Sequence, residues 1–169
     1  DGTPCNDGND DTIGDSCGQG ECLGRVLLGS RVTFPIDIAA GVMEEQGSDQ
    51  RYAMSREIID ALIVPLRSAG MFIGPADITI KAIHLGSVVV TFSVLVAPQE
   101  ASQAHKDAAV LQIEESTVSM SIFGVTVQLR EAAISPFKTY AWVMRKGTCS
   151  PCIDGAYVVH DTYVCKEDG

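Results

Sequence analysis

Cysteine is missing from the whole middle of the chain, and long apolar runs are missing from all of it. No run approaches the roughly 20 apolar residues that cross a bilayer, and no basic-then-apolar leader opens the sequence, so we expect no membrane insertion by this segment. Cations are also scarce, since 12 Lys and Arg face 22 Asp and Glu and leave a formal net charge of −10. Phosphates are held by clustered Lys and Arg, so nucleic acid is not expected as a partner.

The signatures of common catalytic sites are missing as well. The sequence contains no nucleophile elbow, no phosphate-binding loop, no HExxH motif and no paired carboxylates at a catalytic spacing. We therefore predict that the chain is not an enzyme acting on an external substrate. No Asn-x-Ser/Thr sequon is present, which leaves O-linked glycans as the expected form of glycosylation.

The cysteines that are present lie only at the two ends. Three are near the start and three near the finish: Cys5, Cys17, Cys22, Cys149, Cys152 and Cys165. Cysteines confined to small, loop-rich ends are typical of disulfides, which persist outside the reducing cytosol, so we predict a secreted or cell-surface protein. The odd number at each end leaves one cysteine to bridge the ends or to bridge a neighbouring molecule. The alternative is one free thiol at each end.

Two other interpretations of the cysteines remain open. Cys149 and Cys152 have the CxxC spacing of a zinc site, although a second such pair and a pair of histidines are missing. The same spacing occurs in thiol-exchange proteins, but that role needs a helix N-terminus after a strand, and Pro151 with the following IDGAY indicates a turn. Disulfides are therefore the favoured interpretation.

The middle of the chain alternates between two hydrophobic periods. Period-two patterns predict strands, and apolar residues at helical spacing predict helices. The predicted order is a strand at residues 31–39, a helix at 48–70, strands at 76–85 and 88–96, a helix after Pro98, and a strand at 117–129 with a bulge at Gly124. Pro65 predicts a kink or an early end of the first helix.

This order of elements predicts an α+β fold. The succession βαββαβ is typical of the ferredoxin-like plan, an antiparallel sheet with both helices on one face. The predicted domain organisation is a Cys-rich module at residues 1–24, the βαββαβ domain at 30–130 and a small Cys-rich β module at 134–169. The two end modules are expected to depend on disulfides because they contain few periodic apolar residues.

The motif GSVVV, residues 86–90, stands at the junction of the second and third predicted strands. In this position it resembles the SEA domain of mucins and other cell-surface glycoproteins, over roughly residues 31–130. The resemblance implies self-cleavage of the bond between Gly86 and Ser87. His84 is a candidate general base. The alternative is a Gly-Ser hairpin turn without chemistry, because a type II′ turn needs Gly at its first position.

The chemistry of such a cleavage follows from the residues. The Ser87 hydroxyl attacks the Gly86 carbonyl, the amide becomes an ester by an N-to-O shift, and water completes the hydrolysis. Gly86 leaves the carbonyl unhindered, and a peptide held out of plane loses part of its resonance stabilisation.

The two ends resemble small secreted modules. DGTPCNDGN followed by CGQGEC, near the start, is similar to Cys-rich modules of extracellular proteins, with Asp11 where another cysteine is common. Four oxygen-bearing residues there are weak calcium candidates: Asp7, Asn9, Asp11 and Asp15. At the other end, Trp142 before CSPCIDG is weakly similar to a thrombospondin type 1 repeat, which implies a cation–π contact with Arg145.

Three functional hypotheses follow from these patterns, one of which is an enzyme or metal protein that uses Cys149, Cys152 and a histidine. The favoured one is an extracellular structural or adhesive subunit that binds copies of itself head to tail and forms a filament. The apolar segments at residues 25–29 and 134–142 are its candidate partner surfaces, or they pack back on the core. The alternative is a self-cleaving module of a mucin-like membrane glycoprotein. No cofactor is expected besides the weak calcium candidates.

Overall fold

One long strand, β2 (Glu21–Ile38), organises the fold. The computed structural model describes Gly8 and residues 12–18, 21–38, 41–84, 86–144 and 163–167. β2 follows a short strand, β1 (Ile13–Gly18), and pairs with it antiparallel. Because β2 is continuous from residue 21 to 38, it runs across the predicted boundary between the N-terminal module and the central domain.

Helices and strands then alternate along the chain. The remaining elements are α1 (Gly41–Ser68), β3 (Ile78–His84), β4 (Gly86–Val96), α2 (Gln103–Glu114), β5 (Ser119–Ile122), β6 (Val125–Gln128), β7 (Ala133–Ile134), β8 (Lys138–Met144) and β9 (Tyr163–Glu167). The main sheet has the strand order β3-β4-β2-β8-β9, with β1 and β7 also paired to β2. All of these pairs are antiparallel, and the sheet is curled. The predicted α+β class is therefore confirmed.

Both helices pack into one core with the inner face of this sheet. Every second residue of β4 from Val88 to Val96 is at most 1% exposed, as expected when a strand buries one face. Ile58 and Leu62 of α1 and Ile113 of α2 are fully buried in the same cluster. No helix in the described ranges is long and apolar enough to cross a membrane.

The ends of the helices follow local sequence signals. α1 begins at Gly41, before the predicted start at residue 48, and ends three residues after Pro65. The amide of Gly70 donates to Arg67 O at 3.0 Å and that of Met71 to Leu66 O at 3.2 Å, which closes the helix in a Schellman motif. Ser102 caps α2, since its hydroxyl accepts from the amide of His105 at 3.3 Å.

The prediction for the last strand was wrong. Residues 117–129 form a separate two-stranded hairpin of β5 and β6 instead of one strand with a bulge at Gly124. Phe123 and Gly124 have φ of 50° and 79°, so they form the two-residue turn of that hairpin. Two successive residues with positive φ are typical of a type I′ turn, which reverses the chain where a bulge would only bend it.

The place beside β2 is taken by β7 and β8. Val32 pairs with Ile134 and Gly29 with Lys138, so the strand bulges by one residue around Pro136. The hydroxyl of Ser30 donates to Ser135 O at 2.6 Å and fixes this bulge. Phe137 is 5% exposed, and its ring meets Phe92 edge to face with centroids 5.8 Å apart.

Of the apolar segments at residues 25–29 and 134–142, the large apolar side chains that the structure describes pack back on the fold. Leu27 and Leu28 are 4% and 0% exposed, and Tyr140 is 6% exposed. A Cβ at Gly29 would collide with the ring of Tyr140, so the ring lies directly over that glycine. Leu27, Leu28 and Tyr140 are therefore buried within the chain and not exposed for contact with a partner.

Candidate functional site

Gly86 and Ser87 lie at the apex of the β3–β4 hairpin. Ile83 pairs with Val90 and His84 with Val89, so the chain reverses between His84 and Val89. Gly86 has a φ of +105°, a conformation that favours glycine, and a Cβ there would meet no heavy atom within 4 Å. Ser87 is exposed, and Leu85 lies outside the described residues. The junction expected from GSVVV is thus an exposed turn between two paired strands.

A third strand also reaches this apex. Gly86 pairs with Ile38 and Ser87 with Asp37, at the end of β2. Residues directly opposite in an antiparallel pair place their side chains on the same face. Asp37 and Ser87 are both exposed. Asp37 was not among the residues singled out from the sequence.

His84 has a less direct relation to Ser87. It is exposed and lies opposite Val89, two residues further along β4 than Ser87. The two residues are therefore diagonal neighbours on one face. In the described part of the chain, no hydrogen bond joins Ser87 to His84 or to Asp37.

Among the residues that the structure describes, two basic groups have shifted pKa values. Burial lowers the pKa of Lys81, which lies at a bulge of β3 between Ile80 and Ala82. On the surface of α1, a hydrogen bond with Tyr52 raises the pKa of Arg56, and the charge of Asp60 adds to this effect.

The cysteine-rich ends are described only in part. Cys22 is disulfide-bonded, and Cys17 lies directly opposite it in the β1–β2 ladder. Cys165 lies opposite Trp142 in the β8–β9 ladder. The described residues do not include Cys5, Cys149, Cys152, Arg145 or the side chain of Trp142. The predictions for them therefore lie outside the described part of the chain.

Of the four calcium candidates, Asp15 is the one that lies among the described residues. Asp15 accepts a hydrogen bond from the Thr12 hydroxyl at 3.2 Å. Asp7, Asn9 and Asp11 lie outside the described residues. Among the residues that the structure describes, no three His, Cys, Asp or Glu side chains are grouped so that they would hold a metal ion.

A second exposed feature is the loop that follows α1. Phe72 is 96% exposed, although Met71 and Ile73 on either side are buried. Side chains hold the backbone of this loop: the Phe72 amide donates to Glu100 Oε1, the Arg67 Nε donates to Ile73 O and the Gly74 amide donates to Asp77 Oδ2, each at 2.8 Å. The sequence pattern did not indicate this residue, because a single Phe in a loop has no period.

Comparison with known proteins does not assign the chain to a family. No family model matches the chain, and neither a curated protein nor a solved structure matches it.

Proposed function

We propose that the chain is an extracellular module that is cut once, by its own Ser87, and whose two halves remain paired through the sheet. The strand order carries this proposal. Residues 1–86 include β2 and β3, whereas β4 after Gly86 belongs to the other half. In the sheet, β4 lies between β2 and β3.

A break at the apex would therefore leave the halves interleaved. β4 pairs with β2 from Val26 to Ile38 and with β3 from Ile78 to His84. The inner face of β4 is also buried against both helices. Such a module would hold two chain segments together without a covalent bond and release one of them under force, which fits a shed cell-surface glycoprotein.

The resemblance to the SEA domain supports the same proposal. GSVVV stands at the turn from the edge strand β3 into the central strand β4, and a ferredoxin-like core is proposed here in which β7 and β8 take the place of the fourth strand. The cysteines are proposed to form disulfides in the end modules, consistent with the bonded Cys22 and with an extracellular location. O-linked glycans are proposed as its modification.

Intact mass under denaturing conditions, with and without reductant, tests the proposal. We expect the 18.0 kDa chain to give two fragments that meet at Gly86 and Ser87 after reduction. Ser87→Ala should remain whole because it lacks the nucleophile. Ser121→Ala, an exposed serine of the second hairpin, should be cut like the parent. A parent chain that stays at full mass in both conditions would overturn the proposal.

The second candidate is a structural subunit that associates with copies of itself. Phe72 favours it, because its ring is 96% exposed on a loop whose backbone is hydrogen-bonded, and contact with a second copy would remove this apolar surface from water. Light scattering over a range of concentrations tests this candidate. We expect Phe72→Ser to shift the chain to monomer, whereas Tyr52→Ser on α1, which is 65% exposed, should not. A parent chain that is monomeric throughout contradicts it.

A further inference from the structure

Asp37 is the side chain best placed to act on Ser87. The two residues are direct partners in the β2–β4 ladder. Direct partners in an antiparallel sheet have Cβ atoms about 4.5–5.5 Å apart, so a carboxylate oxygen of one can reach a hydroxyl of the other. Both residues are exposed, so their side chains are free to adopt the rotamers that bring these oxygens together.

A bulge in β2 produces this pairing. Phe34 lies opposite Val88, but the next described pair is Asp37 with Ser87, so β2 has two more residues than β4 at this point. Without the bulge, Pro35 would lie opposite Ser87. The two extra residues preserve the alternation of faces, since Ile36 is still 9% exposed on the core side. The bulge thus replaces an inert ring with a carboxylate beside the hydroxyl.

His84 is less favourably placed for the same task. It is a diagonal neighbour of Ser87, and diagonal pairs are about 7–8 Å apart. Its ring would have to reach diagonally along the β3–β4 ladder to the hydroxyl, whereas Asp37 lies directly opposite Ser87.

We propose that Asp37 is the general base for Ser87, an inference that rests on the self-cleavage proposed above. The carboxylate takes the proton from Ser87 Oγ as Oγ bonds to the Gly86 carbonyl carbon. The bond from that carbon to the Ser87 nitrogen then breaks, and the proton passes from Asp37 to the leaving amine. Water hydrolyses the resulting ester, which gives the Gly86 carboxylate and restores the Ser87 hydroxyl at a new N-terminus.

The rate at which fragments appear after refolding from denaturant tests this role. General base catalysis contributes roughly 10²–10⁴-fold, so Asp37→Asn should slow cleavage by about a hundredfold. Asp37→Glu should retain most of the rate, and Asp49→Asn, an exposed acid of α1, should leave it unchanged. Cleavage of Asp37→Asn at the parent rate would overturn the role of Asp37.

Chemical rescue separates catalysis from a structural effect. Formate supplied to Asp37→Ala should restore cleavage in proportion to its concentration, because it replaces the missing carboxylate. A slow Asp37→Ala that formate does not accelerate would overturn the inference, since Asp37 would then act only on structure. The two proposals also fail differently. An uncut parent removes self-cleavage altogether, whereas a cut parent with an equally fast Asp37→Asn removes only the general base.

Discussion

Two hairpins in the described part of the chain, β3–β4 and β5–β6, each turn at a glycine with positive φ but have different surroundings. The β3–β4 hairpin turns at Gly86 with a φ of +105°, and the β5–β6 hairpin turns at Phe123 and Gly124 with φ of 50° and 79°. The apex of the first hairpin also pairs with a third strand, at the end of β2. The second hairpin is a sheet of two strands only.

The difference shows what a third strand adds to a turn. The β5–β6 turn can move without disturbing any other strand, whereas movement at Gly86 would break pairs with Ile38 and Asp37. Pairing with β2 restrains the backbone of this turn and places Asp37 opposite Ser87. The surroundings therefore distinguish a site of proposed chemistry from a simple chain reversal.

The largest predicted effect compares the strands that follow the two turns. Phe92 of β4 is 1% exposed and contacts Phe137, so Phe92→Ala should lower the free energy of unfolding by about 3–5 kcal/mol. Val125 of β6 is 46% exposed, and Val125→Ala should change it by less than about 0.5 kcal/mol. Urea unfolding measures both. Equal losses would mean that the two hairpins contribute equally to the core.

A smaller effect is predicted for the two turn glycines. A Cβ at Gly86 or Gly124 would meet no heavy atom within 4 Å, so substitution by Ala acts only through the backbone. An L-residue in the left-handed region costs about 1–2 kcal/mol, and this loss is expected at Gly124. The loss at Gly86 should be larger, because pairing with β2 prevents the turn from relaxing. Thermal unfolding of both variants tests this order, and an equal loss at the two positions contradicts it.

The sequence predicted the first hairpin better than the second. GSVVV lies where two period-two patterns meet, and both strands form as expected because the apolar alternation of β4 from Val88 to Val96 places its large side chains on the core face. The segment TVSMSIFGVTVQL alternates in the same way on both sides of Phe123. A reversal there was missed because Phe is unusual in a turn with positive φ.

Two parts of the proposed site and fold depend on pairing that a pattern cannot show. Asp37 faces Ser87 only because β2 bulges after Phe34, and Pro35 is the one hint of that irregularity in the sequence. The chain that pairs with β2 after residue 132 is divided around Pro136 into β7 and β8. Neither part is as long as the fourth strand that the sequence predicted at residues 117–129. Long-range register, rather than local propensity, determined both outcomes.

The smallest predicted effect concerns the bulge that only the first hairpin carries. Lys81 lies at this bulge of β3, and burial lowers its pKa. Since the unfolded chain holds this proton more tightly, the ammonium group destabilises the fold at neutral pH, and stability rises as the pH increases through the folded pKa towards the unfolded value of 10.5. Lys81→Met should therefore stabilise at pH 7, by less than about 1 kcal/mol because solvent screens the charge.

Urea midpoints at pH 7 and pH 10 measure the gain from Lys81→Met. The gain should shrink at pH 10, where the parent loses part of its penalty. An unchanged gain at both values would assign the effect to packing instead of charge.

The interleaved strand order also changes the molecularity of unfolding. An intact chain unfolds as one molecule, so its midpoint is independent of protein concentration. Once the chain is cut between β3 and β4, the unfolded state consists of two separate chains, and dilution favours it. A single peptide bond at the apex therefore determines whether this fold behaves as a monomer or as a heterodimer, with the same strands in the same order.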